Sequence, residues 1–282
     1  MNDHASTFHP IGRPGTWNPG RRPDVVTGME RFHLDTDGER IAAVHLPPAV
    51  PGPPVTAVVL HGAGDSHQGW LEALLHDLAG RGCRVLALDF SGHGASTGTL
   101  AELSLRRRLR QAAALIDRRA GADDLVLTGF SMSGQTVADL TASYGPRVRA
   151  IGLCAPAVYP RAAWELPFGA GFTEAIRRPG AWRDSAALTS LRAFTGRSVL
   201  AVPGHDDVIP AAVTVAVADA LAARSAFTRL DLPRAGHALA RRFGEHPAER
   251  RRFVAALLGA DGADGAGRPT GTGLPRAPRR TA

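Results

Sequence analysis

The feature that most constrains this chain is its rhythm. Short, unbroken apolar runs recur between Val55 and Leu232, separated by longer stretches with helical spacing. Val55–Leu60 (VTAVVL) and Leu125–Gly129, within LVLTGF, show the pattern best. Arg84–Asp89, Val148–Ala155, Ser198–Pro203 and Phe227–Leu232 are the further strand candidates. A strand with one wet face alternates apolar and polar residues, whereas a strand covered on both faces reads as continuous apolar sequence. Such strands alternating with helices specify an α/β fold, a mostly parallel sheet with helices on both faces. Helical spacing marks 69–79, 100–119, 132–143, 211–223 and a last segment near 247–258. Met29–Asp35 and Arg40–His45 flank an Asp37-Gly38 turn, a hairpin signal.

The rhythm breaks once, at residues 157–197, where a helical insert stands in place of a single crossover helix. The organisation predicted is therefore a core at 29–156 and 198–258 with a short cap insert at 157–197. Residues 1–28, rich in Gly and Pro, read as a loose arm, and the low-complexity residues 259–282 as a disordered tail. No apolar run approaches the ~18 residues a membrane helix needs, and the start lacks a secretory signature, so a cytoplasmic protein is expected. Cys83 and Cys154 sit in apolar stretches and read as buried free thiols.

A net charge of +7 raises the question of nucleic acid. All 33 basic residues are arginine, a skew that accompanies abundant alanine and glycine and reads as coding bias rather than a phosphate-binding surface. No aromatic-and-basic interleaving supports such a partner. The run Arg106-Arg107-Arg108 falls in a helical segment and reads as a solvated face.

The chemistry concentrates in five segments. Gly129-Phe130-Ser131-Met132-Ser133-Gly134 follows a strand and opens a helix. A serine there sits on a tight turn with its hydroxyl above the sheet and helix N–H groups beside it. Crowding requires small residues two before and two after it, a condition Gly129 and Ser133 meet, although Ser133 stands where glycine is usual. Leu60-His61-Gly62-Ala63-Gly64 follows another strand, and Asp89-Phe90-Ser91-Gly92-His93-Gly94-Ala95-Ser96 follows a third. Val202-Pro203-Gly204-His205-Asp206-Asp207 and Ala235-Gly236-His237-Ala238-Leu239 end the last two strands.

In these motifs and their order, residues 29–258 resemble the α/β-hydrolase superfamily of serine esterases and thioesterases. The resemblance implies a mostly parallel sheet, a short helical cap, and a Ser131, Asp207, His237 triad in the chain order of that fold. The family's spacing, acid three residues after glycine, selects Asp207 over the adjacent Asp206. By the same resemblance, the N–H groups of Ala63 and Met132 form the oxyanion hole. Neither a cofactor nor a metal is required, and the spacing of His61, Asp65 and His67 matches no strong metal pattern. His61 reads as an organiser of its turn rather than an acid or base, and the Asp89 loop as a shaper of structure near the site.

The insert holds six of the sixteen aromatic residues. Tyr159, Trp164, Phe168, Phe172 and Trp182, with Trp70 beyond the oxyanion turn, are candidates for an apolar substrate pocket. The competing reading is that they only glue the cap to the core. The expected function is hydrolysis of an ester or thioester of a small to medium apolar acyl group, free or carrier-bound, through an acyl-Ser131 intermediate. Two alternatives stand beside it: an acyltransferase or cyclase using the same acyl-enzyme under a dry cap, and an inactive ligand-binding protein on the same fold, to which Ser133 lends weight.

Overall fold

The computed structural model describes residues 28–259. The readings of 1–28 as an arm and of 259–282 as a tail thus lie, but for Gly28 and Gly259, outside the described residues. Strands β1 (Glu30–Thr36) and β2 (Glu39–Leu46) form the expected hairpin, with Asp37 and Gly38 both at positive φ (56° and 76°). That pair of left-handed residues makes a turn whose twist matches the strands it joins.

Then follow β3 (Val55–Leu60), α1 (Glu72–Ala79), β4 (Arg84–Leu88), α2 (Leu105–Arg119), β5 (Asp124–Phe130), α3 (Ser133–Tyr144) and β6 (Val148–Cys154). The remaining elements are α4 (Phe172–Arg177), α5 (Ala186–Ala193), β7 (Arg197–Pro203), α6 (Ala211–Ala222), β8 (Ala226–Leu232), α7 (Leu239–Glu245) and α8 (Pro247–Leu258). The eight strands form one sheet in the order β1-β2-β4-β3-β5-β6-β7-β8. β1–β2 and β2–β4 pair antiparallel and every other pair is parallel.

The continuous apolar strands are buried on both sides, as their composition requires. In β3, Val58 and Leu60 join a cluster with residues of α2, α3, α5 and α6. Ala57 and Val59 point the other way, into a cluster with α1, α7 and α8. Alternate residues of one strand thus feed two separate cores. Cys83 and Cys154 are buried free thiols, as expected, and burial pushes the Cys83 thiol up to about 11. No helix among the described residues is long and apolar enough to cross a membrane.

Three sequence expectations change. First, α2 begins at Leu105, not at residue 100, because the Ser104 hydroxyl accepts from Arg107 N–H at 3.2 Å and caps it there. Second, the insert is shorter than 157–197: α5 packs against α3 and α6 as the crossover helix, leaving the cap as the stretch before it. That cap is clipped to the core by Phe168 N–H to Leu103 O and Gly169 N–H to Ala101 O, both 2.8 Å. Third, the arginine run is not uniformly solvated. Arg106 reaches Glu165 and Arg107 reaches Glu39, but Arg108 turns inward and is fully buried.

Candidate active site

Ser131 follows β5 directly, and its φ of 49° is left-handed. That region costs an L-residue with a side chain roughly 1–2 kcal/mol, so the surroundings must hold it. Ser131 N–H donates to Cys154 O at 2.9 Å. The Ser131 carbonyl accepts from Gly134 N–H and Ala157 N–H, each at 2.9 Å. The small neighbours are obligatory: a Cβ on Gly129 would lie 2.5 Å from the Ser133 carbonyl oxygen, and one on Gly134 would lie 2.6 Å from Pro156 Cβ. The turn lifts the hydroxyl off the C-terminal edge of the sheet, where β3, β7 and β8 also end.

His237 comes from the loop after β8. Its Nε2 lies 2.9 Å from Ser131 Oγ, and its Nδ1 lies 3.0 Å from each carboxylate oxygen of Asp206. A carboxylate only accepts, so Nδ1 carries the proton and donates, leaving the Nε2 lone pair to receive the serine O–H. The three side chains form one hydrogen-bonded line from three loops.

The acid in this line is Asp206, which corrects the selection of Asp207. Two backbone links decide it: Gly204 N–H donates to Leu232 O at 2.9 Å and His205 N–H to Ala235 O at 3.1 Å. They pin the loop after β7 onto the loop after β8, and a Cβ on Gly204 would collide with the Pro233 carbonyl. The next side chain, Asp206, falls beside His237, while that of Asp207 is exposed. Asp206 Oδ1 also accepts from Val208 N–H (3.0 Å) and Ile209 N–H (2.8 Å), which fixes the carboxylate before any substrate arrives.

The turn after β3 runs beside the serine; a Cβ on Gly62 would lie 3.3 Å from Ser131 Cβ. His61 is buried and organises this turn as expected. Phe90 N–H donates to its Nε2 at 3.0 Å, so Nδ1 carries the proton and donates to Gly62 O at 2.8 Å. Burial holds the imidazole well below its usual range, hence neutral. A trans peptide sets its N–H opposite its C=O, and no described peptide is cis. With the Gly62 carbonyl turned inward, Ala63 N–H faces the other way, and Ala63 lines a cavity with Ser131. Neither Ala63 N–H nor Met132 N–H donates to a backbone acceptor among the described residues. Met132 opens α3, so its amide also carries the positive end of that helix.

The Asp89 loop buttresses this turn. Asp89 is buried and accepts from Gln68 N–H (2.7 Å), Gln68 Nε2 (3.2 Å) and Ala95 N–H (3.1 Å). It thereby ties the segment beyond Ala63 to the loop after β4.

The cavity over Ser131 measures about 170 Å³, with walls from Trp70, Phe130, Leu239, Ala240 and Arg241. The start of α7 thus builds one wall; this helix is not among the segments expected from sequence, although its buried residues Leu239, Ala240 and Phe243 recur at helical spacing. Of the six aromatic candidates only Trp70 lines this cavity, against the expectation that the cap aromatics do so. Tyr159 and Phe168 pack on Phe172 with ring centroids 5.4 and 4.6 Å away, in a cluster with Met132 and Leu105. Trp164 donates from Nε1 to Asp139 Oδ2 at 3.0 Å, and Trp182 packs against the core. These rings anchor the cap. A larger groove of about 600 Å³ lies at the opposite end of α3, bordered by Gly145, Val148 and Phe194, with no histidine or carboxylate in its walls.

The family model described as serine aminopeptidase, S33 (Hydrolase_4) matches residues 52–179, a span that includes Ser131 but neither Asp206 nor His237. The uncharacterized protein YnbC of Escherichia coli (strain K12) is 29% identical over 134 residues, which is 45% of this chain and 23% of that protein's length. Among solved structures, Est1E from Butyrivibrio proteoclasticus with ferulic acid bound superposes with a TM-score of 0.63 at 17% identity, covering 81% of this chain and 99% of Est1E. The thioesterase domain from the curacin biosynthetic pathway gives a TM-score of 0.61 at 17% identity, covering 82% of this chain and all of that domain (100%).

Proposed function

We propose that this chain is a serine hydrolase of the α/β-hydrolase type, cleaving an ester or thioester of a small to medium apolar acyl group through an acyl-Ser131 intermediate, a reading supported by the family model matched over residues 52–179 and by the likeness of its fold to an esterase and a thioesterase domain. The observation that carries the reading is the unbroken line from Ser131 Oγ to His237 Nε2 and from His237 Nδ1 to Asp206.

The steps follow from that line. Ser131 Oγ attacks the acyl carbonyl as its proton passes to His237 Nε2. Asp206 holds the imidazole in the tautomer that can accept this proton and stabilises the cation that results. The oxyanion is bound by the N–H groups of Ala63 and Met132. Collapse breaks the bond to the alcohol or thiol, which leaves with the proton from His237. Water then attacks the acyl carbon as its proton passes to His237; collapse breaks the acyl–Oγ bond, Ser131 Oγ takes that proton back from His237, and the acid is released.

The walls of the cavity point to the substrate class. At about 170 Å³ it is smaller than the ~300–1,000 Å³ of sites for drug-sized ligands, and its lining is mostly apolar. It suits a short acyl chain. Similarity to an esterase and to a thioesterase domain supports the two bond types. The substrate is a small molecule, free or carrier-bound, with no nucleic acid or membrane taking part, and the compartment is the cytoplasm. The acyl-transfer alternative calls for a dry aromatic roof over Ser131, whereas the cap rings pack on one another beside Met132 and, of the aromatic candidates, Trp70 alone lines the cavity. The inactive-protein alternative rested on Ser133, whose hydroxyl has bonds of its own to make.

The test is a panel of p-nitrophenyl esters and acyl thioesters of graded chain length, with Ser131→Ala as control. Turnover of short acyl groups that falls by about 10⁴-fold or more in the variant supports the reading. Equal turnover in the variant excludes it.

A further inference from the structure

Arg108 is fully buried, and among the described residues its guanidinium bonds to two backbone carbonyls and a serine hydroxyl, not to a carboxylate. The guanidinium lies over the Phe90 ring, 3.7 Å from its centroid. Its Nη2 donates to His61 O at 2.7 Å, to Ser133 Oγ at 2.8 Å and, more distantly, to Gly62 O at 3.4 Å. Ser133 Oγ in turn donates to His61 O at 2.6 Å. Nε and Nη1 are buried without a partner among the described residues. The nearby imidazoles of His61 and His93 add no second positive charge, since burial holds both below their usual range.

A buried cation without a counter-ion opposes folding, and an apolar side chain would fill the same space at less cost. Its contacts show what it acts on. Every hydrogen bond its guanidinium makes among the described residues goes to the turn that carries Ala63 or to the first turn of α3, behind Ser131. Those two elements come from different strands, and Arg108 with Ser133 is the bridge between them. Because the Gly62 carbonyl is held inward, the Ala63 amide is held outward toward the cavity.

We propose that Arg108 and Ser133 are positioning residues for the oxyanion hole: together they lock the His61–Gly62 carbonyls to the nucleophile turn and set a buried positive charge behind the Ala63 and Met132 amides. The serine that departs from the usual glycine is on this account the second half of the clamp. The proposal rests on the acyl-serine reading above and names residues that never touch substrate.

The experiment compares Arg108→Met, Arg108→Lys, Ser133→Ala and Ser133→Gly with the wild type. Three readouts are taken: steady-state kinetics on the best short-chain ester, affinity for an alkyl boronic acid that forms a tetrahedral adduct on Ser131 Oγ, and hydrogen exchange over residues 61–66. Arg108→Met should lower kcat by about 10²-fold with KM little changed, the loss expected for a misplaced oxyanion donor. Boronate affinity should fall in proportion. Ser133→Ala and Ser133→Gly should each lose roughly tenfold in kcat, equivalent to one hydrogen bond. Arg108→Lys, which keeps the charge, should recover part of the Met variant's loss. Exchange over 61–66 should quicken in both Ser133 variants. Folded variants with unchanged kcat, unchanged boronate affinity and unchanged exchange would overturn the clamp, as would a loss confined to KM. If Arg108→Met does not fold, the two Ser133 variants decide. A wild type without Ser131-dependent turnover would strike the acyl-serine reading instead, and the exchange data would still judge the clamp.

Discussion

Asp206 meets His237 through both carboxylate oxygens, each 3.0 Å from Nδ1, while the adjacent Asp207 is exposed to solvent. Asp206→Asn should therefore lower kcat by about 10⁴-fold, because an amide nitrogen facing Nδ1 favours the wrong tautomer. Asp207→Asn should leave kcat unchanged. Steady-state kinetics on the pair checks this, and equal losses in both variants would contradict the assignment.

Ser131 is half-buried, and its side chain is placed beside His237 by a left-handed backbone. Both Ser131→Gly and Ser131→Ala should be inactive, but they should differ in stability. Glycine relieves the strain and alanine keeps it, so the Gly variant should be more stable than the Ala variant by about 1 kcal/mol. In thermal melts that is a gap of roughly 2–4 °C for a domain of this size. Equal melting temperatures would mean that the turn is not strained as its φ implies.

Trp70 and Arg241 form the partition between the cavity over Ser131 and an adjoining open groove of about 490 Å³. Arg241 lies 4.7 Å above the indole centroid. Trp70→Ala should join the two spaces and shift preference toward longer acyl chains. The ratio of kcat/KM for octanoyl over butyryl esters should rise by at least about tenfold, given ~0.8 kcal/mol for each methylene newly buried. An unchanged ratio would place the acyl chain elsewhere.

The cap is held to α3 through Asp139, which accepts from Gln135 Nε2 at 2.9 Å and Trp164 Nε1 at 3.0 Å. Burial raises its carboxyl to about 6 in spite of these donors. The protonated acid is thus favoured by the fold. Its contribution to stability is full below the unfolded value near ~4 and is lost as pH rises through about 6. Wild type should lose stability relative to Asp139→Asn between pH 4 and 7, by roughly the interval over which the two carboxyl states titrate. Urea denaturation at several pH values checks the sign, and parallel curves would refute it.

The sheet was legible because doubly buried strands cannot hide their composition: the bounds expected for Val55–Leu60 match β3 to the residue. The nucleophile turn was legible because its geometry tolerates few residues, and Ser131 and His237 do come within hydrogen-bond range. What sequence could not show was register in loops and direction of side chains. Asp206 and Asp207 are chemically identical, and only the backbone links from Gly204 and His205 to the neighbouring loop choose between them. Arg108 sits in a run of three arginines that share one composition but point differently around a helix, so its burial was invisible. The cap aromatics carried the right chemistry for a pocket, yet their partners are one another, Met132 and Asp139. Apolar composition alone does not tell a lining from an anchor.

The central claim is that Ser131 becomes acylated with His237 as its base. Its most direct measurement is intact-protein and peptide mass spectrometry after treatment with a fluorophosphonate and, separately, with a slowly turned-over short-chain ester. The account predicts one adduct per chain, mapped to the peptide bearing Ser131, absent from Ser131→Ala and strongly slowed in His237→Ala. An adduct on another residue, or labelling that persists undiminished in Ser131→Ala, would contradict it.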